Sequence, residues 1–103
     1  MPRTTPPLPL PVQRALKRLG ADIKDARKRR RINTEVMADR MQVSRPTLRR
    51  LERGDPNVGI ASYANSLYVL GMIERLGDLA ALSNDSIGQQ LASSDLPDRI
   101  RLK

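Results

Sequence analysis

Residues 34–54 read TEVMADRMQVSRPTLRRLERG. Val36, Met37, Ala38 and Met41 collect on one side of a short helix, and Gln42-Val43 is a turn. Ser44 is the next N-cap, with Pro46 in the first turn, where a missing amide costs nothing. Leu48 and Leu51 are the buried pair of the helix that follows. Gly54-Asp55-Pro56 stops that helix, with Gly54 in the left-handed cap position. Two short helices with a tight turn predict helix-turn-helix architecture. The first helix must be small and apolar inside so that the second can cross it, which Ala38 and Met41 allow. The second must bury one narrow stripe and leave the rest free, so Arg45, Thr47, Arg49 and Arg50 face outward.

Charge says what such a surface wants. The chain has 103 residues, 19 Lys+Arg against 11 Asp+Glu, a net charge of +8, and no Cys or His. Residues 12–54 are net +9, whereas 55–98 are net −5, and the short ends 1–11 and 99–103 add +1 and +3. A solubilising surface would spread its charge more evenly. One cationic half and one mildly acidic half point to nucleic acid or an acidic membrane on the cationic side, with nucleic acid favoured by the basic footprint. The only aromatics are Tyr63 and Tyr68, so modules that stack single-stranded bases are disfavoured. Without Cys or His there is no thiolate or imidazole zinc site, no disulfide and no Ser-His or Cys-His nucleophile pair. No cofactor or metal is expected.

Outward from the central stretch, Val12, Leu16, Leu19, Ile23 and Ala26 step by 4, 3, 4 and 3, one apolar stripe of a first helix. Gly20 weakens that helix by about 1 kcal/mol relative to Ala. The helix fades near Arg29–Arg31, where cations suit the negative helix terminus, and Asn33 or Thr34 caps the next one. Residues 1–11 hold five of the eight prolines and predict an extended, disordered tail rather than an SH3-type ligand. Ile60, Tyr63, Leu67 and Leu70 mark a fourth helix closed by Gly71, and residues 72–82 a fifth. Asn84 or Asp85 caps a last short helix with Ile87 and Leu91, and 96–103 is a strand or a loose basic tail. The fold class expected is all-α: a five-helix domain over 12–82, the tail 1–11, and a C-terminal helical extension over 83–103. No segment has the roughly 18 apolar residues needed to span a bilayer, and prolines interrupt any signal-type core in residues 1–15, so a cytoplasmic chain with no membrane partner is expected.

Residues 23–71 resemble the Cro and phage-repressor helix-turn-helix family, often called the XRE family. The likeness is carried by Ile23 to Arg27, by Thr34 to Ala38, and by Val43 to Gly54 with its closing Leu51-Glu52-Arg53-Gly54; Leu70-Gly71 is similar to the family's helix 4 ending. The resemblance implies binding of double-stranded DNA, with Thr34, Ser44, Arg45, Thr47, Arg49, Arg50 and Arg53 as the contact set. Arg45, Thr47 and Arg49 match positions that face base edges, Ser44 caps and touches phosphate, and Arg50 and Arg53 touch backbone. Glu52 matches a glutamate paired with an arginine late in helix 1, here Arg27, which makes it structural. Two departures stand out. Glu35 replaces a common Gln and cannot donate to a phosphate, and Gln42 replaces a common Gly, implying a slightly different turn conformation.

The run Arg27 to Arg31 reads as a nuclear localisation patch, a solvated helix end or a phosphate clamp through Arg29, Arg30 and Arg31. Tyr63 belongs to the core. Tyr68 is either a dimer or partner contact or surface packing, and Met72, Ile73, Leu76 and Leu79 join it as dimer or partner candidates. A single small domain binds DNA weakly, so a homodimer on a palindromic operator is expected. The runs 70–80, 84–88 and 96–99 are similar to HipB-like antitoxins, which implies a HipA-type kinase toxin as the alternative partner. An enzyme is the third class: the acidic pairs Asp22/Asp25 and Glu35/Asp39 have helix-surface spacing, and no catalytic residue is expected.

Overall fold

The computed structural model describes residues 7–93, which are helical with no strand among them. The elements are α1 (Leu10–Arg29), α2 (Thr34–Met41), α3 (Arg45–Glu52), α4 (Ile60–Val69), α5 (Ile73–Gly77), a 3-10 turn (Leu82–Asn84) and α6 (Ser86–Ser93). They form two compact units, one ending at Ile73 and one starting at Glu74. The sequence pattern places a boundary after residue 82. Residues 1–6 and 94–103, and with them most of the expected proline tail and the strand or basic tail at 96–103, lie outside the described residues.

In the first unit α1 and α2 both pack on α3, and α2 also packs on α4. The core is Ile23, Ala26, Met37, Ala38, Met41, Leu48, Leu51, Val58, Tyr63 and Leu70. The α1 stripe buries only from its middle: Ile23 and Ala26 are enclosed, Leu16 and Leu19 are half-buried, and Val12 is exposed. Helix begins at Leu10, inside the span 1–11 where a tail is expected. Pro9 precedes it in extended backbone and its carbonyl accepts from the amides of Val12 and Gln13 at 3.0 and 3.1 Å. Pro11 stands in the first turn, where its ring and missing amide suit a helix start.

All four helices of this unit end the same way. One or two residues past each helix the backbone turns left-handed, and the next amide reaches five residues back: Ile32 to Arg27 O, Val43 to Ala38 O, Asp55 to Arg50 O and Met72 to Leu67 O, at 3.2, 3.0, 3.0 and 2.8 Å. Gly54 and Gly71 fill two of these positions, at φ 75° and 80°, but Arg31 and Gln42 fill the others, at 56° and 58°. A side chain there costs on the order of 1 kcal/mol. The altered turn expected from Gln42 is therefore not found; at φ 58°, ψ 44° it takes the conformation a glycine favours.

α4 corrects another expectation. Ile60 is 73% exposed, and Ser66, fully buried, completes the inner face with Tyr63 and Leu70. The Ser66 hydroxyl donates to the Tyr63 carbonyl at 2.6 Å, so the helix absorbs its polarity. The Tyr63 hydroxyl donates to Asp55 O at 2.9 Å, pinning the α3–α4 loop. Burial, and then the charge of Asp55, push this phenol above its ordinary 10.0. The unfolded chain ionises first, so the stability held by the neutral phenol is complete below pH 10.0 and is lost as pH rises through the folded value. Urea unfolding should show stability falling steeply above that pH, and Tyr63→Phe should be less stable at pH 8 but flatter in alkali. A Tyr63→Phe profile as steep as the natural one would exclude Tyr63 as the cause.

The helix expected over 72–82 ends at Gly77, followed by turns at 78–80 and the 3-10 turn. No residue of 74–93 is buried, and Leu79 is 69% exposed, so this stretch has no core to hold a longer helix. Asp85, rather than Asn84, caps α6, its Oδ1 accepting from Gly88 N at 2.9 Å. No described helix is long and apolar enough to cross a membrane.

Candidate nucleic-acid interface

α3 is fixed from below and bare above. Leu48 and Leu51 are fully enclosed, and Glu52 is almost so. Arg27, late in α1, grips Glu52 with two bonds, Nε to Oε2 at 2.7 Å and Nη2 to Oε1 at 3.2 Å, and its Nη1 donates to the Ile32 carbonyl at 2.8 Å. One guanidinium thus joins the end of α1, the α1–α2 turn and the last residue of α3. Both side chains are under a tenth exposed, so Arg27 is a strut and no longer part of the accessible basic run.

The N-terminus of α3 is built from hydroxyls. Ser44 Oγ accepts from Thr47 N at 3.2 Å and lies 2.9 Å from Thr47 Oγ1. That bond orients the half-buried Thr47 and was not visible in sequence, where only the cap was read. Arg45, Arg49 and Arg53 follow at intervals of four, one ridge along the helix, with Arg50 beside it. All four are exposed and make no side-chain hydrogen bond or ion pair with a described residue. Like charges four apart repel by about 0.2–0.5 kcal/mol per pair, and Arg45 opposes the positive end of the helix dipole. The ridge is a local cost that an anion would remove.

Of the α1 end, Lys28, Arg29, Arg30 and Arg31 are exposed. Arg30 Nη1 caps α1 through the Ala26 carbonyl at 2.9 Å, which separates it from its neighbours. Asn33, not Thr34, caps α2, accepting from Val36 N at 2.8 Å; Thr34 is the half-buried first residue of that helix and Glu35 lies exposed beside it. The Arg18–Asp22 pair, 3.9 Å apart on the exposed face of α1, contributes little. Among the dimer or partner candidates, Tyr68 and Leu79 are exposed, Met72 and Ile73 are half-buried with Met72 against the core, and Leu76 is half-buried. Among the described residues no three acidic side chains are placed to hold a metal ion.

Chemically, the surface of α3 can bind a polyanion by charge and read planar acceptor pairs with guanidinium forks. No family model matches this chain, and neither a curated protein nor a solved structure matches it.

Proposed function

We propose that the protein is a sequence-specific double-stranded DNA-binding regulator of the Cro and phage-repressor helix-turn-helix type that represses transcription as a homodimer on a palindromic operator in the cytoplasm. In this reading α2, the left-handed Gln42 turn and α3 are the helix-turn-helix, and α3 enters the major groove. The observation that carries it is the surface of α3: four exposed arginines with no side-chain partner among the described residues, on a helix held firmly by Leu48, Leu51 and the Arg27–Glu52 pair. A short rigid helix with unpaired guanidinium groups is what major-groove recognition needs, because Arg binds guanine O6 and N7 together. Arg45, Thr47 and Arg49 read bases, and Ser44, Arg50 and Arg53 hold phosphates. A dimer would place two such helices about 34 Å apart, one turn of duplex. No catalytic step is assigned to the chain.

Selection of bound duplexes from a random pool tests this. The selected sites should be palindromic. Arg45→Ala or Arg49→Ala should lose about 1–3 kcal/mol of discrimination at one base position, and log K should fall with log salt by about 0.9 per phosphate neutralised. Unchanged site preference in both variants would rule out α3 as the reader.

One observation favours a second act. Residues 74–93 include no fully buried residue and leave Leu79, Leu82 and Ile87 more than half exposed. A HipB-like antitoxin, binding a HipA-type kinase through this part of the chain, would account for apolar surface of that kind. Co-expression with the product of the neighbouring gene decides: a kinase that co-purifies supports it, and a chain that elutes without it counts against it.

A further inference from the structure

Arg31 and Gln42 occupy the same backbone conformation, and in both the side chain is exposed and bonded to no described residue. Glycine would relieve both positions. Arg31 differs in what it carries and where it is held. Its turn is fixed by Arg27, whose Nη1 holds Ile32 O while its other nitrogens hold Glu52. Arg27 thus ties the carbonyl of Ile32, the residue after Arg31, to Glu52, the last residue of α3 and next in sequence to Arg53. The neighbours of Arg31 have other roles: Arg27 is buried in the ion pair and Arg30 caps α1 on Ala26 O. A cation near a helix C-terminus is favourable, but Lys28 and Arg29 already stand in that last turn at no backbone cost. The fold therefore gains nothing from a charged side chain at 31 that glycine would not better.

Resting on the DNA-binding reading above, we infer that Arg31 is a phosphate-binding residue flanking α3, kept in a left-handed turn for its charge and against the stability of the free protein. Stability and affinity then move in opposite directions at this position, which a purely structural residue does not show.

Three variants of the full chain test it, with melting temperature and binding to a mixed-sequence 30-base-pair duplex measured across a salt series. Arg31→Gly should melt higher by roughly 2–6 °C yet bind about 3–10-fold more weakly, with a salt slope smaller by about 0.9. Arg31→Gln, which keeps the strained backbone and loses the charge, should lose the same affinity without the gain in melting temperature. Gln42→Gly, which relieves the same backbone conformation without removing a charge, should gain stability with an unchanged salt slope. Natural affinity and slope in both Arg31 variants overturn the assignment, as does an equal loss of affinity in Gln42→Gly, which would trace the effect to turn backbone. A natural chain that binds the duplex with no salt dependence overturns the DNA-binding reading itself, whatever the melting temperatures show.

Discussion

Replacing Gly20 with alanine is expected to destabilise the fold by about 2 kcal/mol or more, although it lies inside a helix where alanine is the better residue. α1 crosses the end of α3 at this position. A Cβ on Gly20 would stand 2.5 Å from Leu51 O, 2.6 Å from Gly54 N and 2.9 Å from Glu52 C, all backbone atoms. None can retreat easily. Leu51 is fully enclosed, Glu52 is gripped by Arg27, and Gly54 itself meets Leu16 and Lys17 of α1 so closely that it too has no room for a side chain. Overpacking costs about 1–3 kcal/mol and more where backbone must move, while helix propensity returns only about 1 kcal/mol. Steric conflict wins, and the midpoint should fall by roughly 8–16 °C. Gly77, with nothing within 4 Å of a built Cβ, is the comparison, and Gly77→Ala should not destabilise. Equal melting temperatures for Gly20→Ala and the natural protein would refute the close crossing.

That crossing also shows where sequence reading reaches its limit. In the linear pattern Gly20 is a defect in an otherwise regular stripe; only the approach of a second helix, 31 to 34 residues further on, reveals it as a requirement. What local chemistry determines was legible. The steps from Leu16 to Ala26, the Ser44 cap followed by Pro46, the Leu48 and Leu51 pair and the Gly54 stop each depend on neighbours within a turn or two, and each marks an element of the structure. Where tertiary packing decides, the pattern misled. Ile60 fits the α4 period, yet Ser66 takes the inner place, because a small side chain allows close packing and its hydroxyl is absorbed by the helix. Residues 72–82 have helical spacing, but with no core beneath them α5 stops at Gly77.

The candidate site divides along the same line. The outward set on α3 could be read from helical position alone, since burying Leu48 and Leu51 leaves Arg45, Arg49, Arg50 and Arg53 nowhere else to go. The basic run 27–31 could not be resolved, because its members part only in three dimensions: one is buried against Glu52, one caps its own helix, and one turns left-handed. Composition counts them as five equal charges, and geometry gives them different tasks.

Glu52→Gln is expected to cost about 3–5 kcal/mol, the largest single effect in the molecule. Arg27 would stay buried at 6% exposure with its charge unopposed, and the amide at 52 could accept only one of the two bonds that Glu52 takes, its NH2 facing the guanidinium at the other. Restoring charge balance by removing both groups tests whether the pair is valued for stability or for alignment. Apolar replacement of a buried ion pair is often neutral or better, so Arg27→Met with Glu52→Leu should recover most of the loss. Chemical denaturation of the four members of this cycle measures the coupling. Stability alone would then predict natural DNA affinity in the double variant. The geometry predicts otherwise, because Arg27 is bonded to both the α1–α2 turn and the end of α3. Without it, Arg31 and the α3 ridge lose their fixed relation, and the double variant should fold stably yet bind duplex more weakly. A Glu52→Gln protein within about 0.5 kcal/mol of the natural one, at the level of ordinary surface changes, would show that the pair is not needed for stability, and a double variant with natural duplex affinity would show that it is not needed for alignment.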